Sequence, residues 1–159
     1  MPPRSKPRLV LSPREEPPFP VDAFVEEEDS YLSLSSEPRL ELPGEHPVRV
    51  MTRAHAAVEI EPGTIVVRPG KPLLLLAIVH RLHENPTWRE TWIAEAVRSL
   101  RKEVERRRIR ALATPLLGTV HGKMNAQRSF ELLSSFLIEK VVLERVWIVR
   151  PALAMLERE

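Results

Sequence analysis

Hydrophobic positions in this chain fall either into short unbroken runs or into longer stripes spaced three and four residues apart. The most apolar run is Leu73 to Leu82. It is too short to cross a membrane and has the length of a strand buried on both faces. Thr64 to Arg68 is β-branched and lies between the turn signals Pro62-Gly63 and Pro69-Gly-Lys-Pro72, which predicts another strand. Arg8 to Leu11 and Val21 to Val25 read as two more, and the acidic run Glu26 to Asp29 is expected to end the second. Ser12 to Pro20 holds four prolines and must be a loop, because proline supplies no ladder donor.

The stripes predict helices. From Trp88 to Arg107, the residues Trp92, Ile93, Ala96, Val97, Leu100 and Val104 share one face, opposite Arg89, Glu90, Arg98, Arg101, Glu105 and Arg108. Asn85-Pro86-Thr87 sets up the start with Thr87 as N-cap, and Arg106-Arg-Arg108 complements the dipole at the end. Val48, Met51, His55 and Val58 predict a short helix over Pro47–Ile60, after an irregular stretch from Ser30 to Glu45. Arg145 to Val149 is a last strand, Ala152 to Glu157 a closing helical turn, and Met1 to Pro7 a loose lead-in. Strands alternating with amphipathic helices predict a three-layer α/β fold with a largely parallel sheet.

The stretch Ala111 to Leu133 carries the candidate chemistry. A short apolar run bounded by Pro115 reads as a strand, Gly118, Thr119 and Gly122 form a tight loop, and Phe130, Leu133, Phe136 and Leu137 have helical spacing. Strand, glycine loop and helix together aim backbone N–H groups and a helix N-terminus at an anion, usually a phosphate. Two of the five glycines lie in this turn. The competing reading is a glycine turn that simply reverses the chain.

Composition narrows the picture further. The 159 residues make one domain, and 24 basic against 22 acidic residues leave a net charge of only +2. So small a charge gives little support to nucleic-acid binding by bulk field. Without cysteine there is no disulfide and no thiolate metal site. No apolar signal segment or membrane-length run is present, which implies a cytoplasmic protein. Sixteen prolines, few glycines and many Arg and Glu suit a thermophile.

Several motifs then resemble a known family. Val21-Asp-Ala-Phe-Val25 is similar to the Val-Asp-Ala-Ile-Val strand of macro domains. Pro62-Gly63-Thr-Ile-Val-Val with Leu76-Ala-Ile-Val-His80 resembles that family's paired strands ending in histidine. Pro115-Leu-Leu-Gly-Thr119, followed by Gly122, resembles its phosphate-binding loop. The matches fall in order over Leu9 to Val149. The resemblance implies an α/β/α sandwich with a mixed, largely parallel sheet that binds ADP-ribose or a related nucleotide, free or on an ADP-ribosylated protein. It assigns the phosphate loop to Gly118, Thr119, Val120, His121, Gly122 and Lys123. It puts Glu15 (with Glu16 as rival) where an acidic residue selects the adenine amino group.

The departures from the family pattern bear on chemistry. Glu26 and Asp29 stand where the family has Asn-x-x-Asn beside the ribose, and no glycine occurs between Val25 and Pro43. Val120 stands where glycine is common, and Glu37 matches the hydrolytic acid poorly in spacing. Three functions compete: a binding module without catalysis, an ADP-ribosyl hydrolase, and an interaction domain that has lost its ligand. The binding module is favoured, with no cofactor and no resident metal. A carboxylate at Glu26 or Asp29 about 6 Å from a diphosphate would cost roughly 2–3 kcal/mol at an effective dielectric near 20.

Other features admit a plain reading. His80 and His83 would point to opposite faces of a strand and so serve structure rather than a metal. Trp88 and Trp92 are expected to anchor the core, and Arg106 to Arg110 to be a solvated helix end rather than an RNA contact. Glu26 to Asp29 is expected to fan out at a strand-to-loop junction rather than gather a cation. His121 is the one histidine assigned a role in the site, either donating to a phosphate oxygen or facing water.

Overall fold

The computed structural model describes residues 6–34, 58–137 and 142–150. The elements in chain order are β1 (Arg8–Pro13), β2 (Ala23–Asp29), β3 (Ile65–Arg68), β4 (Leu73–His80), α1 (Glu90–Arg107), β5 (Ala111–Thr114), α2 (Ala126–Leu137) and β6 (Arg145–Arg150). The helix expected over Pro47–Ile60 falls, but for its last three residues, outside the described ones. So do Glu37, the first five residues of the lead-in, most of Ser30–Glu45, and the closing turn at Ala152–Glu157.

One six-stranded sheet runs in the order β1-β6-β5-β2-β4-β3. Every pairing is parallel except β3 with β4. The two continuous apolar runs, at β4 and β5, lie on either side of β2 in the interior of the sheet. Leu75 to His80 are all buried, as a strand covered on both faces requires. Asp22 ties the start of β2 to β5, its carboxylate accepting the N–H groups of Arg110 at 3.1 Å and Ala111 at 3.0 Å.

The stripe of α1 packs where its spacing puts it. Ile93, Ala96, Val97, Leu100 and Val104 are buried against Ala23, Val25, Leu75, Ala77 and Val79, and Leu133 of α2 joins the same cluster. Both helices therefore cover one face of the sheet. The other face, with Leu76, Ile78, Ala113 and Trp147, is buried too. The helix ends at Arg108, which adopts a left-handed conformation and donates its N–H to the carbonyl of Glu105.

Three local expectations need correction. Helix α1 starts at Glu90 with Arg89 at the cap position, not Thr87. Trp88 bridges to His80 and the Thr87 carbonyl accepts the Arg81 N–H, so the chain stays extended alongside β4 for two more residues. Trp88 does pack on the core, but Trp92 is a half-buried surface ring, with the guanidinium of Arg89 at 4.9 Å and that of Arg81 at 5.5 Å from its centroid. The acidic run, finally, does not terminate β2. The strand continues to Asp29, and Glu27, Glu28 and Asp29 are buried instead of fanning into water.

Candidate functional site at the strand ends

Burial of three consecutive acidic residues demands partners, since an unmet buried carboxylate is costly. Each finds a separate set. Asp29 closes the turn after β2, accepting the N–H groups of Tyr31 at 2.7 Å, Ser33 at 2.9 Å and Leu34 at 2.9 Å, and the Ser33 hydroxyl. Glu28 accepts the N–H groups of Asp29 at 3.0 Å and Leu34 at 2.8 Å. Glu27 points to the face that also carries Ala23 and Val25, and its oxygens leave the strand altogether. Oε1 lies 2.7 Å from Nε2 of His80, and Oε2 accepts the N–H of Val120 at 2.9 Å. The side chains of Glu27 and His80 are both fully buried.

A carboxylate can only accept, so with Glu27 ionised Nε2 of His80 carries the hydrogen. The other ring nitrogen, Nδ1, is 3.1 Å from the Thr87 hydroxyl. Beyond the ring lies His121, edge to face with a centroid separation of 6.1 Å. Glu27, His80, Thr87 and the loop at Val120 thus form one polar assembly at the carboxyl ends of β2 and β4. The crossover from β4 through α1 to β5 passes over β2 here, and open α/β sheets bind ligands where the strand order reverses in this way.

The loop from Pro115 to Asn125 rises from the carboxyl end of β5 and is built largely by its own contacts. The N–H and hydroxyl of Thr119 both donate to the Leu116 carbonyl, at 3.1 and 2.6 Å. Ser129 donates to the Leu117 carbonyl at 2.7 Å, and the Met124 N–H to the Gly118 carbonyl at 3.2 Å. Gly118 has φ of +89°, and a β-carbon there would lie 2.4 Å from Cδ1 of Ile93. One at Gly122 would lie 2.5 Å from the Gly118 carbonyl oxygen and 2.7 Å from Cδ1 of Trp88. Both glycines are required by close packing of the loop on α1 and on itself. Asn125 caps α2, its side-chain oxygen accepting the Arg128 N–H at 3.1 Å.

The expected site residues divide into two groups. Gly118, Thr119, Val120, His121, Gly122 and Lys123 lie together on this loop, with Val120, His121 and Lys123 exposed. Glu15 is exposed in the turn after β1, and Asp29 is committed to its own turn. Glu26 forms an ion pair with Arg14 at 3.0 Å. Arg128, the cation in the first turn of α2, is held by Glu90 at 2.5 Å and by Glu131 at 3.3 Å. The hydrogen bonds that Arg128 donates to Glu90 and then to Glu131 raise its pKa. Among the described residues no group of three His, Cys, Asp or Glu side chains could hold a metal ion.

Sequence reasoning missed Glu27 and His80 as a pair. The available signal was the two-residue period of β2: continued past Val25, it puts Glu27 on the face of Ala23 and Val25.

No protein-family model matches the chain, and no curated protein matches it in sequence. Its fold does match solved structures. The macrodomain of Thermus aquaticus DarG is 18% identical with a TM-score of 0.63, over 93% of this chain and 100% of that one. The macrodomain of Mycobacterium tuberculosis DarG is 14% identical with a TM-score of 0.65, over 89% and 99%. A mutant Oceanobacillus iheyensis macrodomain with ADPR is 12% identical with a TM-score of 0.60, over 95% and 93%. These similarities show the fold alone: the chain is folded like a macrodomain.

Proposed function

We propose that this chain, with the macrodomain fold, is a binding module for ADP-ribose or a related nucleotide and does not hydrolyse it. The observation that carries this reading is the loop from Pro115 to Asn125. It places two tightly packed glycines between the carboxyl end of β5 and the capped N-terminus of α2, beside the point where the strand order reverses. Macrodomain structures similar to it in fold include one with ADP and one with ADPR. The ligand is either free or carried on an ADP-ribosylated protein.

The directions of the described acidic groups at the end of β2 support a reading without hydrolysis. Glu27 and Glu28 are committed to His80 and to backbone N–H groups, and Asp29 to its turn, so none is placed to activate water. Calorimetric titration with ADP-ribose, and with AMP in parallel, tests the reading. Saturable heats with ADP-ribose support it, and their absence at millimolar ligand overturns it.

A further inference from the structure

We infer that Glu27 is the positioning residue of the glycine loop: by holding the Val120 N–H inward it sets the conformation in which the loop meets its ligand. The geometry allows little else for this side chain. Glu27 is buried to 4% exposure, one oxygen on His80 and the other on Val120, a residue 93 positions away in sequence. His80 is in turn steadied by the Thr87 hydroxyl and by the bridge from its own strand to Trp88, the ring against which Gly122 packs. Sheet, α1 leader and loop are joined through one carboxylate.

The consequence for the loop is specific. Three of its N–H groups are turned inward: Val120 to Glu27, Thr119 to Leu116 and Met124 to Gly118. The second and third belong to the loop's own folding, and only the first ties it to the sheet. Releasing it leaves the middle of the loop, His121 and Gly122, held only by packing on His80, Trp88 and the Gly118 carbonyl. The ligand part of this inference rests on the binding function proposed above, whereas the loop part does not.

The test has an arm for each part. In the ligand-free parent protein, the Val120 amide should exchange with deuterium slowly, as a buried hydrogen-bonded amide does. Rapid exchange there in the parent alone overturns the inference without any variant. Glu27→Ala should speed Val120 exchange about tenfold or more, the size of a lost hydrogen bond to a charged group, while Leu76 and Ile78 of β4, whose protection falls only with global stability, stay more protected than Val120. Glu27→Gln retains an oxygen for Val120, and the other tautomer of His80 can accept from its amide nitrogen, so it should restore slow exchange.

ADP-ribose affinity, measured on the same three proteins, should fall about tenfold in Glu27→Ala and recover in Glu27→Gln. Asp22→Asn, which loosens the far end of β2, should lower stability and leave affinity unchanged. Unaltered Val120 exchange in Glu27→Ala, or faster exchange with unaltered affinity, overturns the inference. A parent that binds no ADP-ribose refutes the proposed function instead, and the exchange arm then decides whether Glu27 sets the loop.

Discussion

Glu27 and Val120 are joined at 2.9 Å, the carboxylate of a central strand accepting the amide of a loop three strands further along the chain. The contact makes the strand end and the glycine loop one unit. It also puts a buried carboxylate beneath the glycine loop, held on its other side by His80.

Removing one member of that pair leaves the other buried and unmet. Glu27→Ala and His80→Ala should each lower stability by about 3–5 kcal/mol, as for other broken buried pairs. The double variant should cost about 1–3 kcal/mol less than the sum of the two single losses. Urea unfolding of the four proteins measures it. Additive losses would mean that the two side chains do not act together.

Gly118 is fixed by packing and by backbone at once. A β-carbon would meet Ile93 and Met124, and φ is +89°. Gly118→Ala should cost about 2–4 kcal/mol from strain and overpacking combined, and Gly118→Val more. Both should lose ADP-ribose binding. The unfolding midpoint and a far-UV spectrum, recorded beside the titration, separate loss of the site from loss of the fold.

For Asp29, the turn outweighs electrostatics. Three N–H groups and one hydroxyl already surround its carboxylate, so its charge is met within the protein. Asp29→Asn replaces an acceptor with an NH2 group facing donors and should destabilise by about 1–3 kcal/mol. Affinity for ADP-ribose should not improve. Tighter binding in chelator by a folded Asp29→Asn protein would show the carboxylate repelling the ligand after all.

Catalysis is expected to be absent or very slow. Incubation with an ADP-ribosylated protein should release no ADP-ribose above the uncatalysed background, since the acidic side chains at the end of β2 are engaged elsewhere. Clear multiple turnover would require a water-activating group outside this cluster.

Much of the frame was legible in the sequence because its signals were long. The eight residues of β4 and the stripe of α1 each repeat one pattern often enough to fix element type. Tertiary contacts decided the errors. Thr87 looks like an N-cap, but its hydroxyl is on His80 and its carbonyl on Arg81, so the helix starts later. Four acidic residues in a row look like a strand end, because sequence alone does not show that His80 and the amides of Val120 and Leu34 await them. Trp92 has the spacing of a core residue and finds guanidinium groups instead. The glycine loop was legible as the turn from strand to helix, but not that its glycines serve packing.

The claim that Gly118 to Lys123 receives ADP-ribose is tested most directly by titrating ADP-ribose into isotopically labelled protein and following the backbone amide signals. Saturable shifts centred on Gly118, Thr119, His121 and Gly122 are expected, with a Kd of about 10 μM to 1 mM. Shifts centred instead on Leu9, Leu11 and Phe130, which line an apolar groove between β1 and α2, or none at millimolar ligand, would contradict it.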